Sequence, residues 1–139
     1  MKAVLDTNVY VSMLLSPRGA GAWLMALWRE QKFEIVFSSD LYDELIAVLN
    51  RPEIAPRIDL QRKIALLRRL RYDALWTSST VDTSGMLPDP NDDFLLSAAL
   101  EVDAAFIVTW DTTLLAVCNC RGVQIATPDQ FISLIVSSR

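Results

Sequence analysis

The chain has 139 residues, 52% of them apolar and 22% charged, with only 4 glycines and 6 prolines. This length and composition are typical of one packed globular domain over residues 1–139 and not of a disordered tail. The chain has no histidine, which excludes Ser-His-Asp and Cys-His catalysis and every histidine-containing zinc site. The net charge of -4 argues against a protein that coats nucleic acid.

Cysteine usage and the N-terminus indicate the compartment. Cys118 and Cys120 are the only cysteines, too few for a tetrahedral zinc site, and we expect free thiols in a reducing cytosol. The first residues meet Asp6 before any apolar run long enough for a signal peptide. No stretch approaches the roughly 18–20 apolar residues of a membrane span. We therefore expect a soluble cytoplasmic protein without a membrane partner.

Short apolar runs alternate with longer amphipathic ones, which predicts an α/β layer structure. The predicted strands cover residues 3–5, 33–37, 74–76, 104–108 and 123–126. The predicted helices cover residues 19–31, 38–49, 60–72, 92–102 and 113–117. A last helix opens at Thr127 with the reciprocal N-cap pattern Thr-Pro-Asp-Gln. Residues 6–8 are typical of a turn, and residues 77–91 of a loop.

Several acidic residues fall where strands end and helices begin. Asp6 directly follows the first strand, and Asp111 follows the most apolar strand. Asp92 and Asp93 occupy the first turn of a predicted helix, and Glu44 borders the apolar stripe of another. Because ligands of open parallel sheets bind beyond the carboxyl ends of the strands, one edge of the sheet could gather these acids.

Each of these acids also has an ordinary structural explanation. Aspartates form turns and cap helices, and a helical glutamate is commonly solvated. A cluster of carboxylates, however, either binds protons more tightly or recruits a cation. Without histidine or thiolate ligands the suitable cation is Mg²⁺ or Mn²⁺. Such an ion activates water for attack on a phosphodiester, so the acids favour metal-assisted phosphodiester hydrolysis.

Four short motifs together resemble the PIN-domain nucleases, and most closely the toxins of bacterial toxin–antitoxin systems related to VapC. They are Asp6-Thr7-Asn8-Val9, Asp43-Glu44-Leu45, Asp89-Pro90-Asn91-Asp92-Asp93 and Ile107-Val108-Thr109-Trp110-Asp111. The resemblance extends over nearly the whole chain. It implies a three-layer α/β/α sandwich with a mostly parallel sheet. It also implies a Mg²⁺- or Mn²⁺-dependent endoribonuclease that cleaves single-stranded RNA, with a small antitoxin partner and a homodimeric state.

The same resemblance implies which residues form the site. The catalytic and metal-binding residues would be Asp6, Glu44, Asp93 and Asp111. The supporting residues would be Thr7, Asn8, Asp92 and Thr109, with Asp89 as a further outer member. Asp93 is preferred to Asp92 because it matches the acid that opens the helix in the family. Trp110 departs from the family, whose members tend to carry glycine or a charged residue there, and would form a bulkier rim or stack a base.

A basic segment over residues 57–71 is the candidate for contact with the RNA backbone. Arg62, Arg68 and Arg69 are its candidate RNA-binding residues. The same arginines could instead solvate the outer face of a helix.

Three other functions are alternatives to the nuclease. A haloacid-dehalogenase-type phosphatase requires a second aspartate at position 8, where this chain has Asn8. A receiver domain requires an acidic pair before its phosphorylated aspartate and a lysine late in the sheet, and the only lysines are Lys2, Lys32 and Lys63. A catalytically weak PIN fold that binds RNA or protein remains the alternative.

Overall fold

The computed structural model describes residues 1–137, which form a six-stranded sheet and seven α-helices. The strands are β1 (Lys2–Leu5), β2 (Glu34–Ser38), β3 (Leu75–Thr77), β4 (Phe106–Val108), β5 (Asn119–Cys120) and β6 (Val123–Ala126). The helices are α1 (Thr7–Leu15), α2 (Ala20–Arg29), α3 (Ser39–Leu49), α4 (Leu60–Asp73), α5 (Asp93–Glu101), α6 (Thr112–Leu115) and α7 (Pro128–Ser137). Single 3₁₀ turns lie at Ala55–Arg57 and Pro90–Asp92.

The strand order is β3-β2-β1-β4-β6-β5, and all pairs are parallel except β5–β6. The chain moves outward from β1 through β2 to β3 and then crosses to β4 and β6 on the other side. Because parallel crossovers are right-handed, this reversal places helices on both faces of the sheet. The architecture is the predicted three-layer α/β sandwich, and its topological switch point lies between β1 and β4.

The central strands are buried on both faces, as their continuous apolar sequences predict. Ala3, Val4 and Leu5 of β1 and Ile107 and Val108 of β4 have no exposed surface. Leu5 is aligned with Val108, and the amide of the next residue, Asp6, donates to the Val108 carbonyl at 2.9 Å. The register thus brings the residues that follow β1 and β4 side by side.

Most predicted elements are present within a residue or two of their expected bounds, and the last helix has its predicted cap. The Thr127 amide donates to the Gln130 side chain at 3.0 Å, and the Gln130 amide donates to the Thr127 hydroxyl at 3.1 Å. Cys118 and Cys120 are free thiols, as predicted. No helix among residues 1–137 has the length and apolar character needed to cross a membrane.

Two elements were not predicted. Residues 7–15 form α1 directly after β1, where the sequence suggested only a turn. Burial explains the difference, because six of the nine residues of α1 are buried and tertiary packing outweighs the weak helix propensity of its β-branched residues. The antiparallel strand β5 is two residues long, too short to leave an alternating pattern.

A glycine allows α1 and α2 to cross closely. A Cβ atom on Gly21 would lie 2.9 Å from the backbone nitrogen of Met13 and would collide with the Ser12 hydroxyl. Backbone atoms of a packed helix cannot move aside as a flexible side chain can, so this crossing requires glycine.

We predict that Gly21→Ala destabilises the protein by about 1–3 kcal/mol, the typical cost of overpacking. Helix propensity alone predicts the opposite sign, a gain of about 1 kcal/mol from alanine. Urea denaturation of both proteins measures the difference in the free energy of unfolding. A more stable Gly21→Ala variant would contradict the close crossing.

Candidate active site

The site lies at the carboxyl end of the sheet, beside the switch point between β1 and β4. Asp6 is 8% exposed and is the N-cap of α1, where its Oδ1 accepts from the Thr7 amide at 2.8 Å. Its other carboxylate oxygen accepts from the Thr109 hydroxyl at 2.8 Å. Thr109 is fully buried directly after β4. The aligned ends of two adjacent strands therefore hold this carboxylate in place.

Asn8 links the two chain segments that meet at Asp6. Its side-chain amide lies 3.3 Å from the Thr109 hydroxyl and 3.5 Å from Asp6 Oδ2. The side-chain oxygen of Asn8, Oδ1, accepts a hydrogen bond from the Trp110 backbone amide at 3.4 Å. Asn8 thus joins the first turn of α1 to the segment after β4.

Glu44 joins the site from α3. The helix begins after Ser38, whose hydroxyl accepts from the Leu41 amide at 3.2 Å. The Thr7 hydroxyl then donates to Glu44 Oε2 at 2.7 Å. One hydrogen bond therefore connects Glu44 to the residue next to Asp6, so that the α3 acid and the β1 acid lie in one network.

Asp111 joins the site from the segment after β4. Its amide donates to the Thr109 hydroxyl at 2.9 Å, and its Oδ1 caps α6 by accepting from the Thr113 amide at 2.9 Å. The helix-capping explanation for Asp111 is therefore correct, but it accounts for one carboxylate oxygen only. The charge of Asp111 still acts on Asp6, whose pKa it raises.

Asp92 lies within range of the charges of the other three acids. The pKa of Asp92 is raised to about 6, mainly by burial and then by the charges of Asp6, Asp89, Asp111 and Glu44. Asp92 ends the 3₁₀ turn that begins at Pro90, and its side chain makes no capping hydrogen bond. Asp92 is therefore a candidate member of the site, and the metal-binding role of Asp93 stays a prediction.

Asp93 follows Asp92 as the first residue of α5. Its Oδ1 is buried without a hydrogen-bond partner among residues 1–137, and its backbone carbonyl accepts from the Thr83 hydroxyl at 3.0 Å. Its charge is not among those that raise the pKa of Asp6 or Asp92.

No cation among residues 1–137 neutralises these acids. The one ion pair between side chains in that range joins Arg69 to Asp73 at 3.2 Å. Burial raises the pKa of Asp6, and the nearby Glu44 and Asp111 add to this effect, while hydrogen bonds from Thr109 and Thr7 lower it. The site is therefore a set of carboxylates that partly repel one another.

The four acids do not by themselves form a chelating cage. Within the described part of the chain, no group of three or more acidic or cysteine side chains is arranged to hold a metal ion directly. The donor set nevertheless fits Mg²⁺ or Mn²⁺, because Mg²⁺ retains several waters and uses few direct carboxylate ligands. An uncompensated carboxylate group with hydroxyl neighbours is the environment such an ion would stabilise.

Sequence reasoning missed Tyr10. Its side chain is fully buried, and its hydroxyl has no hydrogen-bond partner within residues 1–137. Burial raises the pKa of Tyr10 well above its usual value, and the charge of Asp6 adds to the effect. Tyr10 lies four residues after Asp6, a spacing that predicts proximity only once α1 is recognised as a helix.

The predicted RNA-binding arginines lie elsewhere. Arg62 donates to the backbone carbonyls of Met13 at 2.8 Å and Leu14 at 3.4 Å. Arg69 pairs with Asp73, and its guanidinium lies 5.8 Å from the centre of the Trp28 ring.

Arg62, Arg68 and Arg69 all line a groove of about 760 Å³ between α1, α2 and α4. This groove is at the last turn of α1, whereas the acids are at its first turn, about 13 Å away at 1.5 Å per residue. Arg62 and Arg69 therefore have structural partners, and none of the three arginines adjoins the acids.

We predict that Asp92→Asn stabilises the metal-free protein at pH 7.5 and not at pH 3.5. The pKa of Asp92 is about 6 in the folded protein against an ordinary value of 3.8. The folded state therefore holds the proton more tightly, and stability falls as the pH rises between these two values. Asparagine at position 92 carries no charge, so the variant does not lose this stability as the pH rises.

Thermal unfolding in EDTA at both pH values measures the effect, with Asp43→Asn, an exposed acid on α3, as the matched control. If Asp92→Asn and Asp43→Asn changed the unfolding temperature by the same amount at pH 7.5, the electrostatic role of Asp92 would be contradicted.

Comparison with known proteins identifies the family. The model of the PIN domain family matches residues 2–113. The crystal structure of VapBC2 from Rickettsia felis, bound to a DNA fragment from the VapBC2 promoter, contains a chain whose fold is similar to that of this protein. It has a TM-score of 0.58 and 16% sequence identity, over 91% of this chain and 98% of that chain. A comparison with curated proteins finds no match. Since the family model matches well over half of its residues, this chain belongs to the PIN domain family.

Proposed function

We propose that the chain is a single-domain, Mg²⁺- or Mn²⁺-dependent endoribonuclease that hydrolyses phosphodiester bonds of single-stranded RNA. One observation carries this proposal. Acids from four separate segments, Asp6, Glu44, Asp92 and Asp111, interact at the switch point of the sheet without a neutralising cation among residues 1–137. PIN domains are generally metal-dependent nucleases, which supports the same activity.

The residues have distinct parts in this proposal. Asp6 would be the central ligand, since the Thr7 amide and the Thr109 hydroxyl fix both of its oxygens. Glu44, Asp92 and Asp111 would complete the binding site, directly or through water. A bound divalent cation supplies a Lewis acid that lowers the pKa of water and neutralises phosphate charge.

The hydroxyl and amide groups would position the acids rather than react. Thr7 holds Glu44, Thr109 holds Asp6 and the Asp111 amide, and Asn8 ties α1 to the segment after β4. A fixed arrangement avoids the cost of assembling four repelling carboxylates when the substrate binds. The absence of histidine is compatible with this chemistry, because the proton of the attacking water need not pass to an imidazole.

The biological setting is part of the same proposal. The resemblance to VapC-related toxins, and the fold shared with a chain of the VapBC2 structure, support a toxin paired with a small antitoxin. We further propose a cytoplasmic homodimer. Contact of Arg62, Arg68 and Arg69 with the RNA backbone stays a prediction, and all three line the groove at the end of α1 opposite to the acids.

Variants of the adjacent aspartates test the assignment of the acids. We predict that Asp6→Asn and Asp92→Asn each lower Mn²⁺-dependent cleavage of a mixed single-stranded RNA by about 100-fold or more, as expected for loss of a metal ligand. Asp93→Asn should lower it much less, and Asp43→Asn should leave it unchanged.

Initial rates on a labelled oligonucleotide measure these effects. If Asp93→Asn lost cleavage activity and Asp92→Asn did not, Asp93 would be the metal ligand, as the family pattern implies. An intact RNA with every protein, including the wild type, would favour the alternative of a catalytically weak PIN fold that binds RNA or protein.

Metal binding should depend on pH. Because a protonated carboxyl cannot serve as an anionic ligand, and the pKa of Asp92 is about 6, we predict that the affinity for Mn²⁺ increases as the pH rises from 5 to 7.5. Isothermal titration calorimetry at both pH values measures the affinity, and Asp92→Asn should weaken the pH dependence. An affinity that is the same at both pH values would contradict the participation of Asp92.

A further inference from the structure

Trp110 belongs to the segment after β4 that carries part of the acidic site, and its side chain is accessible to solvent. It is 36% exposed and stands between Thr109, which contacts Asp6, and the acid Asp111. It is one of only four tryptophans in the chain. An aromatic ring next to a site for phosphodiester chemistry is placed to contact whatever flanks the phosphate.

The backbone that carries this ring is held on both sides. The Trp110 amide donates to Asn8 Oδ1 at 3.4 Å. The Thr109 amide donates to the Ala126 carbonyl at 3.0 Å, and the Asp111 amide donates to the Thr109 hydroxyl at 2.9 Å. A ring on a fixed backbone loses little conformational freedom when it binds a ligand.

Other tryptophans have structural tasks that Trp110 lacks. Trp76 donates its indole N–H to the Leu70 carbonyl at 2.9 Å and packs edge-on against Phe37. Trp28 is buried under the guanidinium of Arg69. Within residues 1–137, the Trp110 indole makes no hydrogen bond or ring contact. Its polar N–H and its ring are therefore free for a ligand.

Electrostatics favours a neutral contact at Trp110. The arginine groove lies at the far end of α1, so its basic side chains do not hold the nucleotides that flank the acids. A nucleobase is uncharged at neutral pH and presents a flat aromatic face. Stacking on tryptophan attracts such a base without requiring positive charge.

We propose that Trp110 is a stacking platform for the base next to the scissile phosphate. The proposal rests on the proposed nuclease function and refines its substrate class. A base stacked on Trp110 must be free of its own neighbours, so the site selects single-stranded over double-stranded nucleic acid. Trp110 is thus a specificity residue that helps to hold the strand beside the acids.

Steady-state cleavage of a single-stranded RNA oligonucleotide with Mn²⁺ tests the proposal. Trp110→Ala should lower kcat/KM by about tenfold, mostly through KM, as expected for the loss of one stacked base. Trp110→Phe should retain most activity. Trp23→Ala, which removes a 55% exposed tryptophan on α2, should match the wild type.

An abasic substitution beside the cleaved bond provides the readout that a structural role would not give. It should lower kcat/KM of the wild type by the same factor as Trp110→Ala, and should cause no further loss in that variant. Equal activity of Trp110→Ala and wild type, or additive losses, would overturn the platform while leaving the nuclease in place.

Binding without cleavage separates the two proposals. In an Asp6→Asn background, single-stranded RNA should quench tryptophan fluorescence, and Trp110→Phe should bind RNA but lose most of the quenching. This result supports the platform even if the wild type cleaves no RNA. Quenching that persists in the Trp110→Phe protein, or an absence of binding, would overturn it.

Discussion

Repulsion among carboxylates is the constraint on which the site depends. Asp6, Glu44, Asp92 and Asp111 lie within range of one another's charge, and no cation among residues 1–137 compensates them. Such an arrangement costs free energy that the remainder of the fold must supply. A buried parallel sheet, a continuous apolar core and well-formed helix caps provide it. The chain thus maintains an unfavourable local arrangement whose physical remedy is a bound divalent cation.

Sheet register explains how residues distant in the chain meet. The alignment of Leu5 with Val108 places Asp6 beside Thr109, although more than one hundred positions separate them. The hydroxyl groups of Thr7 and Thr109 then extend this contact to Glu44 and Asp111. Each of these hydroxyls connects two segments, so the geometry of the acids follows from the strand ends rather than from flexible loops.

The sequence predicted the layers of the fold well, but it did not predict every element that positions the site. Buried strands and capped helices leave strong local patterns, as in residues 104–108 and at Thr127. The helix α1 was missed because its stability comes from packing on neighbouring elements. Tyr10 was missed with it, since its spacing from Asp6 has meaning only on a helix.

The choice between Asp92 and Asp93 depends on where α5 begins. One residue changes the direction of a helical side chain by about 100°, and helix ends are the least certain part of any sequence-based assignment. The arginines of α4 illustrate a related difficulty. Their number suggested a nucleic-acid surface, but Arg62 and Arg69 bond to the backbone and to Asp73, partners that composition does not reveal.

Anomalous X-ray scattering from a crystal soaked in Mn²⁺ tests the central claim most directly. The account predicts a manganese peak among the carboxylates of Asp6, Glu44, Asp92 and Asp111, with Asp6 bound directly or through one water. A peak elsewhere on the protein, or a lysine or arginine occupying the space between these acids, would contradict it.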